Sequence, residues 1–296
     1  MPAPDPPSHP APRLSRRRFV AALAAAAGGI ALRGVAVEPR ALRVTRHAVG
    51  RRRAPDPRPV ILAQITDLHL LGVGAVHRRI GDALAAARPD LVVITGDSLD
   101  YRGSSSLLAE FMALLDPATP KFAILGNWEH WHDVDVDAMD AVYRRAGCRL
   151  LVNETAVHEV RGRSLAITGL DDMVAGRPDP RRAFADVPAV DAHLLLAHCP
   201  EHRDVLARHV VFDVMDRRLE FDLSRITLML SGHTHGGQVN LFGWAPVLPR
   251  GSGRYVRGWF REPGAIPLYV SRGIGTSSYP VRLGSPPELA LFDLYL

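Results

Sequence analysis

The chain has 296 residues, of which 47% are hydrophobic and 23% charged, enough to bury a large α/β core and too apolar for a disordered or fibrous class. Its net charge of +5 sits at the start: residues 1–58 hold 12 Arg, no Lys and 3 acids, while the remaining 238 residues sum to −4. A mildly acidic body argues against specific nucleic-acid binding. Two cysteines, Cys148 and Cys199, exclude a disulfide scaffold and a zinc ribbon, and read as buried free thiols.

Ser15-Arg16-Arg17-Arg18-Phe19-Val20 opens an alanine-rich stretch, Phe19–Leu32, followed by the small residues Gly34-Val35-Ala36. A charged start, a short apolar region and a small-residue cleavage site mark an export signal. The SRRxF pattern resembles a twin-arginine signal, which implies the twin-arginine export machinery as a partner and the periplasm or cell envelope as destination. Fourteen helical residues span roughly 21 Å against a hydrocarbon core of ~30 Å. Residues 1–36 therefore read as a signal peptide, and as a membrane anchor only where cleavage fails. Residues 37–58, with Arg51-Arg52-Arg53, Pro55 and Pro57, read as a polar linker into a domain over 59–296.

Within that domain, short apolar runs alternate with helical periodicity, the mark of an α/β fold. The expected order is strand Val60–Thr66, helix Val76–Ala87, strand Leu91–Thr95, helix Ser106–Leu115, strand Lys121–Leu125 and helix Asp135–Ala146, stopped by Gly147. Leu150–Val152, Ala156–Val160 and Ser164–Thr168 follow closely enough to suggest an antiparallel meander. Strands Ala192–Ala197 and Ile226–Leu230 resume, with a helix near Asp204–Val211 between them, and Leu268–Ser271 and Glu288–Leu294 close the domain.

Five of these runs end on polar donors: Asp67 and His69 in ITDLH, Asp97 in VVITGD, Asn127 in FAILGN, His198 in LLLAH, and His233 and His235 in LMLSGHTH. Rigid strand ends fix donor positions while the loops beyond stay open to substrate. Asp, His and an Asn carbonyl suit first-row divalent ions, and the absence of thiolate donors argues against a structural zinc site. Asp97, between the first and third motifs, is the natural bridge for two cations roughly 3.5–4 Å apart. Glycines in GDxxD, GN and GHTH let the backbone turn sharply.

D-x-H, G-D-x-x-D, G-N, an isolated H and G-H-x-H, in this order, resemble the calcineurin-like metallophosphoesterase superfamily over roughly residues 60–295. SGHTHGGQ, LYVSRGIGTS and a Pro-x-Arg are similar to its bacterial envelope branch. The resemblance implies a four-layer α/β/β/α sandwich of two mixed β-sheets flanked by helices. It also implies Asp67, His69 and His235 on one metal, Asn127, His198 and His233 on the other, and Asp97 bridging. The cofactors implied are two divalent ions, manganese foremost, with iron, zinc or cobalt as alternatives, sharing a hydroxide nucleophile.

The family pattern G-N-H-[DE] supplies a proton donor that this chain lacks. Gly126-Asn127-Trp128-Glu129-His130 puts an indole there, which cannot act as a general acid. Either His130 or His132 reaches in, with His130 the catalytic candidate, or the leaving group needs little protonation. The reading is a metal-dependent hydrolase of a phosphodiester or pyrophosphate, on a phosphorylated small-molecule or lipid substrate. The alternatives are a phosphomonoesterase and a catalytically silent phosphate-binding module. Asp100 reads as a loop-capping or supporting residue, Gln238 as shaping the turn after GHTH, and Cys199 as packing. Arg272 and Arg282 read as phosphate clamps or surface ion pairs. Phe242, Trp244 and Trp259 read as a lipid-facing or substrate-facing wall or as ordinary loop packing.

Overall fold

A computed structural model describes residues 15–50, 58–100, 104–212 and 222–296. Residues 1–14 of the expected signal and 51–57 of the expected linker lie outside the described residues. Two six-stranded mixed sheets stack face to face. The first contains β1 (Arg43–Gly50), β2 (Val60–Ile65), β3 (Leu91–Thr95), β4 (Lys121–Ile124), β5 (Cys148–Leu150) and β12 (Glu288–Tyr295), in the order β1-β12-β2-β3-β4-β5. The second contains β6 (Glu154–Val160), β7 (Arg163–Gly169), β8 (Ala192–Leu196), β9 (Leu228–Ser231), β10 (Gly258–Phe260) and β11 (Leu268–Val270), in the order β10-β11-β9-β8-β7-β6.

Leu62, Val93, Phe122 and Phe292 from the first sheet interlock with Ile167, Leu194, Leu230 and Tyr269 from the second. The buried strands are apolar on both faces because each sheet also carries helices on its outer side. Helices α2 (Ala75–Ala87), α3 (Ser105–Met112) and α5 (Val136–Arg145) cover the first sheet through Ile80, Leu84, Phe111, Met139 and Tyr143. Helices α6 (Pro180–Phe184) and α7 (His202–Phe212) cover the second through Phe184 and Leu206. The expected α/β/β/α sandwich is present.

Three local expectations need correction. The stretch read as a linker holds β1, which pairs in parallel with β12 along Arg43↔Glu288 to Gly50↔Tyr295. An edge strand with one half-solvated face needs no continuous apolar run, so its Arg, Thr and His residues concealed it. The expected three-strand meander is split: β5 pairs in parallel with β4 in the first sheet, and only β6 and β7 form an antiparallel pair in the second. The chain changes sheets between Leu150 and Glu154. The apolar leader, α1 (Arg16–Leu32), does not stop at its alanines but continues through a π-turn and a 3₁₀ turn to Arg40. Cys148 and Cys199 are both buried free thiols.

Candidate metal centre

Every donor motif lies just past the carboxyl end of a strand. β2 delivers Asp67 and His69, β3 delivers Asp97, and β4 delivers Asn127 through the short helix α4 (Asn127–Trp131). From the second sheet, β8 delivers His198, and β9 delivers His233 and His235. All seven side chains are buried. Two groups emerge, Asp67 with His69 and His235, and Asp97 with His198 and His233.

His69 Nε2 and His235 Nε2 approach to 3.1 Å with their rings stacked. Asn127 Oδ1 lies 2.9 Å from His233 Nδ1 and 3.2 Å from His198 Nε2. Asp97 joins the groups: its Oδ2 is 3.1 Å from His198 Nε2 and 3.6 Å from His69 Nε2. Its Oδ1 is already used, accepting the Trp128 backbone N–H at 2.9 Å. A single oxygen therefore faces both groups, rather than one oxygen each.

The protein holds these side chains in conformations they do not favour. Asp67, His69, Asp97, His233 and His235 have φ of 52°, 44°, 50°, 72° and 50°. Left-handed backbone at a non-glycine residue costs of order 1–3 kcal/mol and persists where surrounding structure enforces it, commonly at functional sites. Neighbouring glycines make room. A Cβ at Gly126 would collide with the Asp97 carboxylate, and one at Gly232 with Thr66 and the Asp67 carboxylate.

Ring orientation is set from behind. His198 Nδ1 donates to the Thr95 carbonyl at 2.8 Å, and His233 Nε2 donates to the Arg250 carbonyl at 2.8 Å. The opposite nitrogen of each ring is thereby turned inward as a lone-pair donor, the tautomer a cation requires. Burial pushes His69 and His233 down to about 4 and His235 lower still, so these imidazoles are neutral. Burial pushes Asp67 up to about 6. Burial also opposes charge on His198 and Asp97, but their mutual attraction prevails, raising the imidazole and lowering the carboxylate. Asp67 Oδ2 is buried without a hydrogen-bond partner. Inward lone pairs, an unsatisfied carboxylate oxygen and two carboxylates in a dry pocket fit two divalent cations.

Glu129 is the main feature that sequence reasoning missed. Its carboxylate accepts N–H groups from Asp97 at 3.1 Å, Ser98 at 2.6 Å, Leu99 at 3.2 Å and Gly126 at 2.8 Å. It clamps the Asp97 loop to the Asn127 loop, and its place in the G-N-x-E run was the available signal. Asp100 supports His69, with Oδ2 3.7 Å from Nδ1. Gln238 bridges to the Ser277 and Tyr279 carbonyls, shaping the turn as expected. Cys199 packs, donating to Asp172 Oδ2 at 3.0 Å. Both arginines are committed to partners within the protein. Arg282 is fully buried, donates to the Arg272 and Ser285 carbonyls at 2.9 Å each and to Gly275, and lies 3.2 Å from His235 Nδ1. Arg272 is taken up by Glu288 at 2.9 Å. Trp259 packs against His47 and Tyr269, whereas Phe242 and Trp244 stand exposed.

Trp128 sits beside the centre, its ring edge-on to His69 with centroids 4.8 Å apart. His130, half-buried two residues further on, places Nε2 2.7 Å from Asp171 Oδ1. Asp171 follows β7, and β7 pairs with β8, which His198 follows, so the dyad stands on the His198 side of the centre. His132 packs its ring against Trp128 at 4.9 Å.

The family model for calcineurin-like phosphoesterases matches residues 61–237, more than half of the chain. The chain belongs to the calcineurin-like phosphoesterases. As such it resembles the phosphodiesterase YaeI of Escherichia coli K12, at 30% identity over 95% of this chain and 99% of YaeI. It also resembles the uncharacterized metallophosphoesterase YkuE of Bacillus subtilis 168, at 26% identity over 95% of this chain and 98% of that protein. Among solved structures, a 5'-nucleotidase precursor from Thermus thermophilus is similar over 73% of this phosphoesterase and 49% of that chain, with 19% identity and a TM-score of 0.46.

Proposed function

We propose that this phosphoesterase hydrolyses a phosphodiester or pyrophosphate through a dinuclear metal centre, on a lipid or other cell-envelope substrate. The carrying observation is Asp97 Oδ2, which faces both donor groups at once. Asp67, His69 and His235 would hold one cation, Asn127, His198 and His233 the other, and Asp97 both. When bound, two divalent cations would supply a water acidic enough to attack at neutral pH and offset charge on the phosphoryl group. Manganese suits the mixed oxygen and imidazole set, and iron, zinc and cobalt accept the same donors.

The residues around the centre support a diester or anhydride. Trp128 fills the place where the family carries a histidine, and an indole cannot serve as the acid. His130, held by Asp171, is the available acid, and Asp171 raises its affinity for the proton. The name of YaeI, phosphodiesterase, agrees with this reading. SRRxF and the helix after it support export by the twin-arginine route to the cell envelope.

The test uses the purified manganese-loaded chain with bis(p-nitrophenyl) phosphate and p-nitrophenyl phosphate side by side. Turnover of the diester with two equivalents of bound metal is expected. Faster turnover of the monoester would make it a phosphomonoesterase, and bound metal without turnover of either would make it a silent binding module.

A further inference from the structure

The expected cleavage site near Gly34-Val35-Ala36 is not a free segment. Residues Arg33–Val37 are helical, Gly34 is buried against Val281 and Leu283, and its carbonyl accepts the Arg282 N–H at 2.9 Å. Glu38 is buried as well, accepting the Ser285 N–H at 2.7 Å and pairing with Arg33 at 3.2 Å. A peptidase that reads extended chain would have to unpick these contacts before cutting.

The helical run from Arg16 to Arg40 has 25 residues and contains an 18-residue stretch of mean hydropathy 1.9 with almost no buried residues. From Phe19 to Val37 it is apolar apart from Arg33, whose charge is paired with Glu38. The undocked part, Phe19–Leu32, rises roughly 21 Å, so the docked turn Arg33–Val37 has to enter the headgroup layer for the run to reach across a ~30 Å core, where the long Arg33 side chain can reach the interface. Nothing separates this helix from the domain: Gly34 and Glu38 are already docked on it. A helix that crosses a bilayer therefore presses the docking face against that bilayer.

That face is the metal-centre face. Segment Val281–Ser285, which receives the helix, pairs with the chain leaving His235 through Val239↔Leu283 and Asn240 N–H to the Leu283 carbonyl at 2.7 Å. The same chain turns at Leu241 and Trp244 and returns to Arg250, which braces His233. Its tip is apolar and bare: Phe242 is fully exposed, with Trp244 at 65% and Val247 at 76%, and Tyr279 beside them at 75%. Leu71 and Trp131, just past His69 and Asn127, are exposed too. Within the described part of the domain, only Val44 and Val157 among the exposed large hydrophobics from residue 43 onward lie elsewhere. Exposed aromatic and aliphatic side chains on the loops that carry or follow the metal-site residues fit the headgroup boundary of a bilayer, where an apolar body and a polar rim are both satisfied.

We infer that the mature protein keeps Arg16–Val37 as a bilayer anchor and seats the Phe242, Trp244 and Tyr279 rim of its metal centre in that bilayer's surface. This deepens the proposed function by making its substrate a phosphate carried in the headgroup layer of the same membrane. It is tested with the full chain carrying a C-terminal tag. Intact mass of the membrane-fraction protein should include residues 16–37, and alkaline carbonate should not release it. A mass beginning after Ala36, or release by carbonate, would overturn the anchor.

For the rim, the full chain is reconstituted into phosphatidylcholine vesicles with brominated acyl chains, and tryptophan emission is read. Quenching is expected, with Trp244→Phe removing at least a third of it and Trp259→Phe leaving it within a tenth. No quenching, or equal loss in both variants, would remove the rim from the membrane. Asp97→Asn should quench like the parent, so failure of the seating and failure of the phosphoesterase chemistry are read separately.

Discussion

His130 Nε2 donates to Asp171 Oδ1 across 2.7 Å, tying the loop after β4 to the loop after β7. That hydrogen bond, outweighing the opposing effect of burial, raises the imidazole above its ordinary range. The protonated form therefore persists to higher pH and is lost as pH climbs through the raised value. Asp171→Asn should move the alkaline limb of the kcat/KM profile to lower pH. His130→Gln should cost about 10²–10⁴ in kcat on a diester with an alkyl leaving group and far less on a p-nitrophenyl diester, whose leaving group needs no proton. Equal losses on both substrates would remove His130 from the role of acid.

Asp97 Oδ2 lies within reach of both donor groups, so its loss should weaken the centre as a whole. Asp97→Asn is expected to abolish diester turnover and to halve the bound metal measured by elemental analysis. His233→Ala should do the same, because Asn127, His198 and the shared Asp97 leave the second cation underheld. Full metal content with retained activity in either variant would show the assignment to be wrong.

The clustering of these donors was legible because buried parallel strands write themselves as apolar runs, and each run here ends in a polar donor. What the runs could not show is how the loops brace one another. Glu129 looked like one acid in a motif until its four backbone N–H partners were in place. Arg282 is 47 residues from His235, and only the closing loop brings the two together. β1 escaped notice because an edge strand beside β12 can keep half its side chains in water. The change of sheet after β5 has no local signature, since the same short apolar runs would serve a meander.

Glu129 should matter to stability before chemistry. Burial raises the Glu129 carboxyl to about 7, so its hydrogen bonds contribute the ordinary value of about 1 kcal/mol each, and buried donors left without one are costly. Glu129→Ala orphans the N–H groups of Asp97, Ser98, Leu99 and Gly126. A loss of about 4 kcal/mol is expected in denaturant titration, with weaker metal binding because the Asp97 and Asn127 loops are no longer joined. Glu129→Gln keeps an acceptor and should lose about half as much. A Glu129→Ala variant with unchanged midpoint and metal affinity would exclude the clamp.

Arg282 separates a brace from a phosphate clamp. Burial brings its guanidinium down to about 10, so it is still charged at neutral pH, and its donors are spent on the Gly275, Arg272 and Ser285 carbonyls. A guanidinium so committed has little left for a phosphate. Arg282→Met should strand those buried carbonyls and cost about 3 kcal/mol, seen as a lower Tm. It should also loosen the seat of Gly34, since both lie on the Val281–Ser285 segment. The metal-loaded fraction that stays folded should keep its KM for the diester within about twofold. A clamp would give the opposite pattern, an unchanged Tm with KM raised tenfold or more, because its energy would be spent on substrate rather than on the loop.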